Sequence, residues 1–314
     1  MEVDIAIIHI GHGKTGSSVL QSFLVSNRDS LAKFGFDYPL SASDSAARAG
    51  QVTSGNGHLV ADSYDLIGIP GKVFSSEGLF YNKGLLQYLD QSAQSFSVIA
   101  YTRDLFHFLI SAWGQRVKRH GVTSSFEKYL ESDIVNLHLS QLLLWHDALG
   151  DRLSVFNYSR HSANLEQHFL SAGLGITDTR GFKFFGSAKV NRSLTTSELE
   201  VQSLFNHYYG GSSSRFVSDQ LVNLVPEIRA EVPYFSRQIY SRTIERLAPQ
   251  VVTLNQSLPE SERIQIEPYG ELVRNNRGSE NGNEPVYAFT RMQLAVLVRS
   301  VSEELKRGHS ALSD

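Results

Sequence analysis

The chain has 314 residues, of which 41% are hydrophobic and 19% charged, with a formal net charge of -3. That is the composition of a folded globular protein of one large domain, or of one domain with a smaller appendage. It contains no cysteine, which excludes disulfides, thiolate metal sites and cysteine nucleophiles, and its charge gives no support for nucleic-acid binding.

No apolar run approaches the roughly 18 residues of a membrane span, and Met1-Glu2-Val3-Asp4 carries no basic segment of a signal peptide. A cytoplasmic protein without a membrane span is expected. The first element is "IAIIHI" (5–10), a continuous apolar run of the kind that fills a strand buried on both faces. A glycine turn follows, and 17–34 reads as a helix with Val19, Leu20, Phe23, Leu24 and Leu31 on its apolar side. "FGFDYP" (34–39) reads as a second strand stopped by Pro39, and the Ser-, Ala- and Gly-rich stretch 40–58 as a loop or lid. "GKVFSSEGLF" (71–80) is a third strand, 84–93 a helix, and "SFSVIAYTRD" (95–104) a fourth strand whose Asp104 can cap the next helix. In that helix Leu105, Phe108, Leu109, Ala112 and Trp113 recur at helical spacing. "RLSVFNYS" (152–159) is a fifth strand, followed by a helix around 162–172.

Strands alternating with helices imply right-handed crossovers and a parallel sheet covered on both faces. Beyond about 190 the strand signal fades, and helices are expected at 196–209, 215–229, 236–247 and 289–307, with a surface loop at 274–285. The expected architecture is a single domain, with an α/β core over 1–190 and a mainly helical extension over 191–314.

The turn "GHGKTG" (11–16) fits G-x-G-x-x-G, and Asp37, some twenty residues on, stands where a ribose-binding acid would. It also nearly fits G-x-x-x-x-G-K-[ST], but Lys14 comes before Gly16. Both fits are poor. A lysine between glycines, followed by Thr15, Ser17 and Ser18, nevertheless surrounds an anion with donors at a helix N-terminus. Arg103 falls at the end of the fourth strand, on the same carboxyl edge, with Ser111 eight residues later. A guanidinium and a hydroxyl beside the first anion site suggest a ligand with two separated phosphates.

"IHIGHGKTGSSVLQSFL" resembles the 5′-phosphosulfate loop of sulfotransferases that use 3′-phosphoadenosine 5′-phosphosulfate (PAPS), and "VIAYTRDLFHFLISAWGQRVK" resembles their 3′-phosphate element. "LAKFGFDYP", "FSSEGLF" and "VNRSLTTSELEVQSLFN" are similar to stretches of bacterial members. His12-Gly13 stands where the family often has prolines, Ser17-Ser18 where Thr-Thr is common, and Leu105 where proline is frequent. The resemblance implies a three-layer sandwich around a central parallel sheet, like that of P-loop NTPases. It also implies a cradle for the 5′-phosphate from Gly13, Lys14, Thr15, Gly16, Ser17 and Ser18, with Lys14 neutralising charge on the bridging oxygen. Arg103 and Ser111 would hold the 3′-phosphate, and Arg192, or Lys183 or Lys189, would close over the cofactor.

The acceptor, a hydroxyl or less readily an amine on a carbohydrate or small metabolite, needs a base. Glu77 is the first candidate and His12 the second: carbohydrate and protein-tyrosine members tend to use glutamate, and the small-molecule branch histidine. The basic run Arg116, Lys118, Arg119 and His120 reads as a solvated helix end that could steer an anionic acceptor. No H-x-x-x-H or H-E-x-x-H spacing occurs, so no catalytic metal is expected. The alternatives are an ATP-dependent kinase or NTPase, which would need a magnesium-holding acid not evident here, and a nucleotide-binding protein without catalysis. The sequence carries no signal for oligomeric state.

Overall fold

A computed structural model of the chain describes residues 3–40, 55–185, 192–209, 211–225, 227–228, 231–274 and 288–310. Most of the expected 40–58 loop, nearly all of the 274–285 loop and Lys189 lie outside the described residues. The chain forms two compact units, each assembled from separate stretches of sequence. The first comprises Met1–Asp104, Asn136–Ala188 and Leu247–Gln265; the second comprises Leu105–Val135, Lys189–Arg246 and Ile266–Asp314. The units therefore do not divide at residue 190.

The first unit is built on a parallel sheet of four strands, β1 (Ala6–Ile10), β2 (Val73–Ser76), β3 (Phe96–Thr102) and β4 (Leu153–Asn157), in the order β2-β1-β3-β4. All five β1 residues are buried, as a central strand covered on both faces requires. On one face Ile7, Val73, Ile99 and Tyr101 pack with Leu20, Phe23 and Leu24 of helix α1 (Ser17–Ser26) and with Leu165, Phe169 and Leu170. Each such fully buried side chain contributes about 1.5–3 kcal/mol of transfer free energy. Helix α2 is Lys83–Gln91, and α3 (Leu105–His120) belongs to the second unit. Helix α4 (Leu137–Leu149) packs against α2 and β4, and its Trp145 indole donates to the Phe80 carbonyl at 2.8 Å.

The expected strand at 34–39 shrinks to one parallel bridge, Asp37 to Lys72. Gly35 takes a positive φ of 85° and Pro39 offers no N–H, so the ladder cannot extend in either direction. The expected helix 17–34 is interrupted at Asn27, whose side chain donates to Phe23 O at 2.9 Å and to Lys183 O at 2.9 Å, and it resumes as Arg28–Ala32. The helix expected at 162–172 becomes two short turns, Tyr158–His161 and Leu165–His168, followed by a π turn at Phe169–Gly173.

The second unit is helical among its described residues. Its elements include α3, α5 (Thr196–Tyr208), the short helix Ser218–Leu224 and α7 (Arg291–Ser310); α6 (Arg237–Ser257) begins here and runs past the expected end at 247, through Pro249. Phe106 stacks on Phe235 and Tyr240, with ring centroids 5.6 and 4.9 Å apart. The first amides of α3 are capped by Glu267, which accepts from Phe106 N at 2.9 Å and His107 N at 3.0 Å. Asp104 does not supply that cap. Its carboxylate, in the first unit, accepts from Asn157 Nδ2 at 2.8 Å and from Gln265 N at 2.9 Å.

Candidate functional site

In an open parallel sheet the ligand-binding edge is the one where the strands end. Each of the four strands here is followed there by a residue able to bind or react. Beyond β1 comes the glycine turn, beyond β2 Glu77, beyond β3 Arg103 and beyond β4 Tyr158. Because β1 lies between β2 and β3, Glu77 and Arg103 follow the strands on either side of the turn. The turn is tied to β2 by Gly11 N donating to Ser76 O at 2.9 Å.

The turn is held by its own backbone. His12 O accepts from Thr15 Oγ1 at 2.6 Å and from Ser17 Oγ at 3.3 Å. Both residues are buried, and these hydroxyl contacts brace the loop. Gly13, Lys14, Gly16 and Ser18 keep part of their surface open. Lys14 has a φ of 70°, and among the described residues no other non-glycine residue has a positive φ. Gly16, with a φ of 82°, precedes α1 without a side-chain cap, leaving the helix N-terminal amides facing the turn. A Cβ on Gly16 would stand 2.4 Å from Leu165 Cδ2 and 2.8 Å from Tyr158 Cε2. A Cβ on Gly13 would meet nothing within 4 Å, so the backbone there can be approached by a ligand.

Arg103 Nη1 donates to Lys14 O at 3.4 Å, and its guanidinium lies 5.5 Å from the centre of the Tyr158 ring. Tyr158 therefore touches both the closing glycine of the turn and the arginine. Sequence reasoning passed over Tyr158 because it read the residue as part of the strand; its position one residue past β4 is the same signal that singled out Arg103.

Glu77 opens a short 3-10 turn and remains exposed on part of its surface. The protein around its carboxyl pushes its pKa above the ordinary glutamate value, and the Lys14 charge acts in the opposite direction. The two groups are thus electrostatically linked. His12 is 2% exposed, edge-on to Phe80 at 4.7 Å and tilted against His138 at 4.9 Å, and burial lowers its pKa to about 3. It is neutral at physiological pH and a weak proton acceptor.

Two expected partners are otherwise engaged. Asp37, the ribose-binding acid of a dinucleotide reading, pairs with Lys72 and lies 3.5 Å from Arg28. Arg192, in the second unit, is committed to a buried pair with Glu198, donating through Nη1 and Nη2 at 2.7 Å each and through Nε to Val225 O at 2.7 Å. Its guanidinium serves as an internal tie where a cofactor clamp was expected. Ser111, partly buried in α3, also belongs to the second unit. In the basic run, Lys118 and Arg119 both pair with Asp219, at 3.0 and 2.7 Å. Among the described residues no helix is long and apolar enough to cross a membrane.

No protein-family model matches the chain, and a comparison with curated proteins finds no match. Among solved structures, a sulfotransferase from Alicyclobacillus acidocaldarius aligns over 80% of this chain and 94% of its own, at 15% identity and a TM-score of 0.42.

Proposed function

We propose that the chain is a sulfotransferase that moves the sulfuryl group of PAPS to a hydroxyl of a carbohydrate or small-metabolite acceptor. The observation that carries the reading is Lys14, in a left-handed conformation inside an open glycine turn, with Glu77 electrostatically coupled to it and Arg103 hydrogen-bonded to its carbonyl. An in-line transfer between two oxygens requires a base for the entering oxygen and a cation for the departing one within a single site.

The residues fit a phosphate donor: the Gly13 backbone is open, and the α1 amides face the turn. PAPS supplies the activated sulfuryl group. Gly13, Lys14, Gly16 and Ser18 receive its 5′-phosphate, and Thr15 and Ser17 hold the turn in shape. Glu77 accepts the acceptor's hydroxyl proton as the acceptor oxygen forms its bond to sulfur. The bridging S–O bond breaks, its electron pair stays on the 5′-phosphate oxygen, and Lys14 neutralises the charge arriving there. Arg103 binds the 3′-phosphate; Ser111 as its second ligand rests on the family resemblance alone. A metal is not required, because the lysine does the electrostatic work.

The test is a set of thermal shifts with adenosine 3′,5′-bisphosphate, ATP with Mg²⁺, and NAD(H). A ligand at a hundred times its Kd stabilises by about 2.7 kcal/mol, and the bisphosphate is expected to give the largest shift, most of it lost in Arg103→Ala. Stabilisation by ATP or NAD(H) alone refutes the reading. Tight bisphosphate binding without turnover on any acceptor points to a binding protein.

A further inference from the structure

Away from the glycine turn, the first unit brings together two histidines and a glutamate from distant parts of the chain. His161 ends the turn after β4, His168 ends the next one, and Glu262 comes from a 3-10 turn at Glu260–Glu262. One potential ligand atom from each lies within 4.8 Å of the other two. We propose that His161, His168 and Glu262 bind a divalent transition-metal ion of the zinc class.

Four features support this. The donors are two imidazoles and a carboxylate, a set that suits Zn²⁺ or Co²⁺ and not the all-oxygen shells of Mg²⁺ and Ca²⁺. His161 Nε2 stands 3.0 Å from Glu262 Oε1, close to the separation that two ligands keep around an ion with bonds of ~2.0–2.2 Å. Each of two ligands is oriented from behind: Tyr101 Oη is 2.9 Å from His168 Nδ1, which leaves Nε2 as the coordinating atom, and Glu262 Oε2 accepts from Asn157 N at 2.7 Å. Outer partners of this kind fix ring orientation and tautomer in metal sites. Finally, both histidines keep part of their surface open, so an ion can enter and a water can complete the shell.

The two rings stack, with centroids 3.5 Å apart and planes 21° apart. An ion lies in the plane of each ring that binds it, so loading turns one imidazole out of the stack. Because Tyr101 holds His168, the tilt falls on His161, which pivots about its contact with Glu262. The bound ion would cross-link the turn after β4 to the 260–262 segment. Tyr158, the first residue of that turn, touches Gly16 and Arg103, so metal loading steadies the wall of the phosphate site without entering the chemistry.

The full chain, stripped with a chelator, is titrated with Co²⁺ and then Zn²⁺. One ion per chain is expected to bind, with a low-symmetry Co²⁺ absorption band and a Zn²⁺-dependent rise in Tm. Removing an outer partner typically costs about 10–100-fold in metal affinity, so His161→Gln and His168→Gln, which remove ligands outright, are expected to weaken binding by at least that much and to abolish the Tm rise. Zinc-edge absorption of the unmodified protein, which needs no variant to fold, is expected to show two imidazoles. The absence of saturable one-to-one binding, undiminished affinity in the His161→Gln, His168→Gln double variant, or a zinc shell without imidazole overturns the proposal. None of these readouts depends on sulfotransferase activity.

Discussion

Two glycines in one turn make opposite predictions when each is replaced by alanine. Gly16 has a φ of 82°, where a Cβ costs ~1–2 kcal/mol. That Cβ would also sit 2.4 Å from Leu165 Cδ2 and 2.8 Å from Tyr158 Cε2. Leu165 is itself packed in the core cluster with Phe169, so its tip has little room to retreat, and overpacking of this kind costs ~1–3 kcal/mol. The loss of unfolded-state freedom returns ~0.4–1 kcal/mol. Gly16→Ala is thus expected to destabilise by about 1–4.5 kcal/mol, a large share of the ~5–15 kcal/mol that holds a domain together. Gly13 has neither a positive φ nor an atom within 4 Å of its Cβ position, so Gly13→Ala should fall within ~0.5 kcal/mol of wild type. Its methyl group would stand instead where an anion meets the backbone, and it is expected to weaken adenosine 3′,5′-bisphosphate binding at least tenfold. Guanidinium unfolding followed by the fluorescence of buried Trp145, with a bisphosphate titration of each folded variant, measures both. A wild-type midpoint for Gly16→Ala refutes the packing argument. Wild-type affinity in Gly13→Ala refutes the placement of the phosphate on this turn.

The remaining predictions concern charge. Glu77→Gln is expected to lower turnover by ~10²–10⁴ while leaving bisphosphate binding intact. In the wild type the acid limb of kcat/KM should lie above the ordinary glutamate pKa, because the base works only when ionised and its surroundings raise its pKa; an acid limb at or below that value, or turnover preserved in Glu77→Gln, removes Glu77 from the role. In the second unit, burial alone would raise the Glu198 carboxyl, but hydrogen bonds from Arg192, Gln293 and the Thr195 amide outweigh it and hold the pKa below the usual range. A depressed carboxylate contributes stability that is complete above its unfolded pKa and is lost as pH falls through the folded one. Glu198→Gln leaves Arg192 buried without its counter-charge and should cost ~3–5 kcal/mol in denaturant unfolding at neutral pH, whereas replacing both residues with methionine should recover most of the loss. A negligible cost for the single variant contradicts the buried pair.

The parallel sheet and its carboxyl edge were legible because the relevant signals are local. "IAIIHI" and "FSVIAYT" are short, mainly apolar runs, and the residue after such a run falls on the carboxyl edge of the sheet whatever the rest of the chain does. The failures arose where distant residues decide. Asp104 looked like a helix cap until Asn157 and Gln265 claimed its carboxylate and Glu267 took its place on the α3 amides. Helix α4 escaped notice because "LHLSQLLLWHDAL" carries leucine on nearly every side and so gives little periodicity. The strand at 34–39 failed at a glycine and a proline that permit one bridge but no ladder. Arg192 stood in a stretch similar to the family, yet its partner Glu198 is only six residues on and was open to view. Thr195 followed by Glu198 is a capping-box signature, and it could have drawn attention to that carboxylate as the arginine's buried partner. Close histidine spacing gave no sign of the His161, His168 and Glu262 cluster, since the two histidines are seven residues apart and Glu262 is reached only through the fold.

The left-handed backbone at Lys14 bears on how such loops are copied. A residue with a Cβ is held there at a cost of ~1–2 kcal/mol, and a backbone left to itself would favour glycine or asparagine. The position is therefore filled against local preference, as the proposed role of its ammonium group would require. A designer who transplanted the turn by its glycine spacing and optimised the remaining residues for conformational ease would replace this lysine first. The result would be a well-formed loop without its charge. In this turn the glycines supply the bend, and the residue that strains the bend supplies the charge.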